Sequence, residues 1–462
     1  MSELPAGWVM RKVGEVGRVQ LGRQRSPDVH NGPNMRPYLR VANVFEDRID
    51  TSDVMEMHFS DEDFGRFELK DGDILLNEGQ SRELVGRPAM YRGQLPGGCF
   101  TNSLVRFQAS DDVEPLFALN LFRHYMRSGE FQKIAQITTN IAHLGAGRFA
   151  AMDFPLPPRM VQKRIVKKLQ GLQARSATAR NALARVHQLV EKLRQSILAA
   201  AFRGDLTKDW RAKNPDVEPA SELLGRARVS GPVKRSGSRR VVAAESGRAN
   251  APAGLPASWT SSPIADVCPL QPGYAFKSKE FARVGIRLMR GTNIVPGGTR
   301  WEDVVYLDQS RAGDFQEYSL AAGDLVIAMD RPIIAGGIKV TRLATSDVPA
   351  LLLQRVGRLR PSAAVDLRYV EHFLRSPAFL VHVAGQATGT QLPHISATDV
   401  GSAVLPLPPL EEQAEISARC EAALERARSI AAAMDASAAR LEVLDATTLT
   451  VAFGGQLLER AS

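Results

Sequence analysis

Two long stretches of this chain repeat apolar residues every three and four positions. Across residues 158–201 the apolar set is Ile165, Leu169, Leu172, Ala179, Leu183, Val186, Val190, Leu193 and Ile197, interrupted by Ser176. Across residues 409–452 it is Ile416, Cys420, Ala423, Ala427, Ile430, Met434, Leu441, Leu444 and Val451, in the same register. An apolar period of 3.5 held this long predicts a helix that buries one narrow seam against a partner helix. At 1.5 Å per residue each is a rod of roughly 65 Å.

Other landmarks recur at the same separation of 251 residues. Leu4-Pro5-Ala6-Gly7-Trp8 returns as Leu255-Pro256-Ala257-Ser258-Trp259, Gly72-Asp73 as Gly323-Asp324, and His143 as His394. Pro155-Leu156-Pro157-Pro158 returns as Pro406-Leu407-Pro408-Pro409, and Phe202-Arg203-Gly204-Asp205-Leu206 as Phe453-Gly454-Gly455-Gln456-Leu457. Five matches in one order and one offset make the chain a tandem duplication of a globular module and a long helix.

The order of elements follows. Residues 1–157 form a first mixed α/β domain, with a strand predicted over residues 36–44 and a strand, Asp-Gly turn and strand over 67–76. A further strand is expected over 103–107 and a helix over 115–127, whose Leu116, Leu119, Phe122 and Met126 share a face. Proline is tolerated in a first helical turn and extends the residue before it, so the double proline leads straight into the first long helix, 158–204. Residues 205–253 are a basic linker with a short helix near Leu223, residues 254–408 repeat the domain, and residues 409–457 hold the second long helix. The fold class is thus a duplicated α/β (α+β) domain separated by two long helices.

Charge adds a pairing rule. Between 159 and 201 there are ten Lys/Arg and one Glu, whereas between 410 and 452 there are eight Asp/Glu and four Arg. Opposite flanks on matching seams favour pairing with each other over self-pairing, which predicts an antiparallel coiled coil and a pseudo-twofold arrangement. The net charge of +9 raises the expectation of a polyanionic partner. Three scattered cysteines, Cys99, Cys268 and Cys420, fit reduced thiols in a cytoplasmic protein. No apolar run of 18 residues and no signal peptide is visible, so no membrane association is expected.

Catalytic motifs are missing from the sequence. There is no phosphate loop of the G-x-x-x-x-G-K-[ST] type and no G-x-G-x-x-G after a strand. Asn214-Pro215-Asp216-Val217 lacks the second proline and the aromatic of an amino-methyltransferase motif. The eight histidines show no metal-binding spacing, and His143 and His394 suit a positioning or DNA-facing role. The chain reads as a binding protein and not an enzyme.

Together these residues resemble the specificity subunit of type I restriction–modification systems. The resemblance rests on Pro406-Leu407-Pro408-Pro409-Leu410-Glu411-Glu412-Gln413 and its partner Pro155-Leu156-Pro157-Pro158 with Gln162. Leu-Pro-x-x-Trp opening each half, Gly-Asp before apolar residues, and residues 201–207 with Trp210-Arg211 add to it. The first copy has Arg159-Met160-Val161 where acidic residues are usual.

The resemblance implies two target-recognition domains, each reading half of a bipartite double-stranded DNA site, with the paired helices as spacer. It also implies two methyltransferase subunits docked on the helices and restriction–translocase subunits, which would bind S-adenosylmethionine, ATP and Mg. Candidate readers in the first domain are Arg23, Gln24, Arg25, Asn43, Asn77, Gln80, Arg82, Thr139 and Asn140. In the second they are Lys277, Lys279, Asn293, Arg331, Gln354, Arg355, Thr388, Thr390 and Gln391. Arg or Lys pairs with guanine and Asn or Gln with adenine. The rival readings are a related system with a fused methyltransferase–nuclease, and a coiled-coil adaptor with no DNA role.

Overall fold

The computed structural model describes residues 4–138, 140–229, 254–334, 336–386, 394–454 and 457. These fall into two compact units, residues 1–185 with 434–462, and residues 186–433. Each unit therefore holds one globular domain and a portion of both long helices.

In the first unit the strands Gly17–Leu21, Leu104–Ala109, Ile74–Asn77 and Pro88–Met90 lie in that order in an antiparallel sheet. Successive side chains of a strand point to opposite faces. Ile74 and Leu76 accordingly join one core with Phe107, Phe117 and Phe122, while Leu75 joins another with Tyr38, Phe59 and Phe100. The helix Pro115–Arg127 covers the first core, where Phe107 and Phe122 meet edge-to-face at 5.1 Å. A smaller sheet covers the second, with Met35–Leu39 between Cys99–Phe100 and Met55–His58.

The second unit repeats this plan. Leu270–Pro272, Val356–Leu359, Leu325–Ala328 and Val340–Arg342 form its antiparallel sheet. Leu325 and Ile327 enter one core and Val326 and Ala328 the other. The Gly-Asp landmark sits before the central strand in both units, and Gly72 and Gly323 each take φ of 89°, which glycine adopts without strain. The strand expected before Gly72 is absent: Phe67 ends the helix Asp61–Phe67, and the first strand of this stretch is Ile74–Asn77.

The first and last strands of each domain pair antiparallel, Val9–Lys12 with Asp153–Leu156 and Thr260–Pro263 with Val404–Leu407. The chain then enters the helices Arg159–Arg203 and Leu410–Phe453. Buried Gln162 fixes the first entry: its Nε2 donates to Pro157 O at 2.9 Å and Asp112 O at 3.0 Å, and its Oε1 accepts from Glu114 N at 2.8 Å. Gln413 makes the same three bonds, to Pro408 O, Ala364 O and Asp366 N.

The helices run antiparallel within each unit. In the first, Lys168 Nζ donates to Leu457 O and Ser176 Oγ to Asp445 Oδ1 at 2.7 Å, so rising numbers meet falling ones. In the second, Leu198, Ala201 and Phe202 share a core with Ile416, Cys420 and Leu424. The segment just past the first helix follows the same descending order, Leu206 O accepting from Arg419 at 2.8 Å and Arg211 meeting Glu412. Ile165, Leu169, Val190, Ile416 and Met434 are buried, and Leu172, Leu183, Val186, Ile197 and Leu441 are half-buried. Three expected seam residues are not in the seam: Leu193, Ile430 and Leu444 are exposed. Leu198, Ala201, Phe202, Leu424, Leu449 and Ala452 are buried in their stead, because the helices also pack on the domains.

Candidate nucleic-acid interface

Three proposed readers turn out to be structural. Asn43, 2% exposed, follows the strand Met35–Leu39 in a tight turn; its Oδ1 accepts from Arg40 N at 3.0 Å. Its Nδ2 donates to Asp50 O at 2.9 Å and Asp53 O at 2.8 Å. Asn293 repeats this with Arg290 N, Arg300 O and Asp303 O. Asn77 is fully buried and donates to Val44 O at 3.3 Å. An amide so enclosed offers nothing to a groove, so these three are corrected to scaffold residues.

Of the remaining candidates in the two units, Arg23, Gln80, Arg331, Gln354 and Arg355 lie at or next to bridged strand edges. In the first, Arg23 N donates to Phe100 O at 3.1 Å and Arg23 O accepts from Asn102 N at 2.9 Å. Beside it the strands Gly79–Gln80 and Ile141–His143 pair. Arg23 itself is committed: it pairs with Asp63 at 3.0 Å, lies 4.9 Å from the Phe59 ring centroid and donates to His58 O. Gln24, Arg25, Arg82 and Asn140 are exposed and Gln80 is half-buried. Thr139 lies outside the described residues.

In the second unit Tyr274 takes the place of Arg23, with Tyr274 N donating to Leu352 O at 3.0 Å and Tyr274 O accepting from Gln354 N at 2.8 Å. Asp330 bridges His394 as Gly79 pairs with His143. Arg331, Gln354, Arg355, Lys277 and Lys279 are all exposed here. Thr388, Thr390 and Gln391 lie outside the described residues. Arg355 forms an ion pair with Asp330 at 2.7 Å, and Arg331 and Arg355 hold positive φ angles of 43° and 68°.

Nearby Lys339 is not a phosphate ligand of this edge. It is buried, its ammonium donates to Gly291 O at 3.0 Å, and burial lowers its pKa. In the first unit His143 Nδ1 lies 2.9 Å from Glu78 Oε2. Sequence reasoning missed Tyr274, Asp330 and Glu78; the offset of 251 sets Tyr274 against Arg23 and Asp330 against Gly79, and nothing in the sequence near Glu78 marks it.

An edge lined with exposed Arg, Lys and Gln side chains can donate to phosphates and to base edges. Among the described residues no helix is long and apolar enough to cross a membrane.

The family model described as the type I restriction modification DNA specificity domain matches residues 5–188 and 256–426. The chain is 35% identical over 241 residues to the EcoAI type I restriction enzyme specificity subunit of Escherichia coli, which is 50% of this chain and 39% of that one. It is 26% identical over 323 residues to the MjaVIII specificity subunit of Methanocaldococcus jannaschii, covering 70% of this chain and 66% of the other. With the EcoKI specificity subunit of Escherichia coli K12 it shares 23% identity over 470 residues, 98% and 90% of the two chains. The matches thus span less than two thirds of the first two relatives and most of the third.

Two solved structures share the fold. One, from work on complex assembly and conformational transition of the type I R-M system, has a TM-score of 0.70 at 18% identity, covering 99% of this chain and 100% of that one. The HsdS subunit from Thermoanaerobacter tengcongensis has a TM-score of 0.54 at 20% identity, covering 98% of each. The chain belongs to the family of type I restriction–modification DNA specificity proteins, and carries its domain twice.

Proposed function

We propose that this chain is the non-catalytic subunit that gives a type I restriction–modification complex its sequence specificity, in the cytoplasm. Each unit reads one half of a bipartite double-stranded DNA site. The paired helices set the gap between half-sites and dock two methyltransferase subunits, with restriction–translocase subunits completing the complex. S-adenosylmethionine, ATP and Mg belong to those partners.

One observation supports this reading above the others: the units share buried scaffold residues and differ along the exposed edge. Asn43 and Arg106 recur as Asn293 and Arg358, all four buried, whereas the half-buried, internally bonded Arg23 and Ser103 give way to exposed Tyr274 and Arg355. One scaffold with two edge chemistries suits a split site with unlike halves.

The test is to express the chain with a methyltransferase subunit of a type I system that it assembles with, and map methylated adenines across the genome. The expected result is one motif with two unlike halves at a fixed gap. Methylation without such a motif, or DNA binding that does not weaken as salt rises, would refute the proposal.

A further inference from the structure

Ser103 and Arg355 occupy corresponding positions, each two residues beyond the bridge that Thr101 or Leu353 makes to the neighbouring edge. Ser103 Oγ is used internally, accepting from Val41 N at 3.1 Å. Arg355 points out, with its side chain 58% exposed. Its φ of 68° lies in the left-handed region, which side chains other than glycine rarely enter and which tends to collect at functional sites.

The backbone beneath it is held firmly. Arg355 O accepts from Met329 N at 2.8 Å, and Gln354 N donates to Tyr274 O at 2.8 Å. Asp330, whose carboxylate meets Arg355 Nη1 at 2.7 Å, is itself fixed by its bridge to His394. Exposed Arg–Asp pairs are common and add little stability, so stability does not account for this one. What sets it apart is a strained arginine on a rigid edge, gripped on one side of its fork. A guanidinium has five N–H donors in a plane, so the rest of the fork remains free.

Resting on the DNA-reading role proposed above, we infer that Arg355 reads a guanine in the second unit's half-site and that Asp330 is the positioning residue that aims it. The free side of the fork donates to guanine O6 and N7 in the major groove. Tyr274, whose carbonyl holds Gln354 N, is 39% exposed and packs its ring on Phe276, Phe315 and Tyr318. The first unit has a comparable device built from other residues, the Glu78 carboxylate against His143 on the neighbouring strand. In both units a carboxylate at or next to this strand pairing engages a basic side chain, His143 in the first and Arg355 in the second, from different positions of the fold.

The experiment maps methylated adenines in cells carrying the full chain and its methyltransferase, for wild type, Arg355→Ala, Asp330→Asn and Asp330→Glu. Arg355→Ala and Asp330→Asn should relax the same single G·C position of one half-site by on the order of tenfold. The other half-site and the melting temperature should stay as in wild type, and Asp330→Glu should keep most of the discrimination. An unchanged motif in both loss variants, with wild type methylating a split site, would overturn this inference and leave the proposed function standing. Relaxation accompanied by a lowered melting temperature in Asp330→Asn would make Asp330 structural and overturn its positioning role. A wild-type chain that directs no split motif removes the proposed function, and this inference with it.

Discussion

Asp73 and Arg106 meet at 3.2 Å inside the first unit, their side chains 4% and 3% exposed. Arg106 also donates to Glu68 O, Arg66 O and Gln20 Oε1, and Asp73 accepts from Lys70 N and Gln108. Asp324 and Arg358 repeat the arrangement at 3.0 Å, with Gln271, Ser319 O and Glu317 O around them. The pair ties the turn before the central strand to the strand beside it. Asp73→Asn should cost about 3–5 kcal/mol, because it leaves a buried guanidinium uncompensated. Asp73→Leu with Arg106→Met should cost less than the sum of the single changes, as denaturant unfolding of all four proteins would reveal.

Glu412 explains why the two helix starts differ. Fully buried, it accepts from Thr207 Oγ1 at 2.7 Å, Arg211 at 2.5 Å and Trp259 Nε1 at 2.8 Å. Its counterpart in the first copy is Val161, half-buried against the core of the first unit. The acid at this position therefore anchors the segment that follows the first long helix. Glu412→Ala should destabilise the second unit by about 3–5 kcal/mol and open the helix Lys208–Lys213 to trypsin. Limited proteolysis should show faster cleavage there than in Val161→Ala.

His372 gives the second unit an acid sensitivity. It is 4% exposed, neither ring nitrogen has a hydrogen-bond partner among the described residues, and burial pushes its pKa down to about 4 despite neighbouring Glu371. The folded state therefore favours the neutral ring, while the unfolded chain takes up its proton near pH 6.5. Its contribution is present above that pH and is lost as pH falls toward 4, by about 3 kcal/mol in all. His372→Phe should flatten the decline in stability between pH 6.5 and 4.5. Urea midpoints across that range test it; parallel curves for both proteins would contradict it.

Asn293→Ala should lower stability by about 1–3 kcal/mol, since Arg300 O and Asp303 O lose their shared donor. The methylated sequence should not change. Arg25→Ala on the exposed edge should do the reverse, altering DNA binding with little effect on melting. Thermal melts alongside methylation mapping separate the two.

The duplication was legible because five landmarks share one offset of 251 residues, and both helices because their signals are local. A glycine at positive φ, a buried glutamine after a double proline, and an apolar period each leave a mark within a few residues. The seam was harder to read. Heptad spacing places Leu193, Ile430 and Leu444 inward, but it cannot register that the domains pull Leu198, Phe202 and Leu449 into their own cores. The asparagines misled for a related reason. An amide suits adenine, yet the partners of Asn43 are carbonyls seven and ten residues on, which the sequence alone does not show. The available hint was that Asn43 recurs as Asn293, together with Arg40 as Arg290 and Asp53 as Asp303.

Each domain begins and ends on strands that are hydrogen-bonded partners, Val9–Lys12 beside Asp153–Leu156 and Thr260–Pro263 beside Val404–Leu407. A domain attached at a single doorway is a cassette. Another insert that closes on the same two strands would leave the glutamine-clamped helix entry undisturbed. Under the proposed role, exchanging whole blocks at that doorway would be expected to change specificity with the rods left as they are.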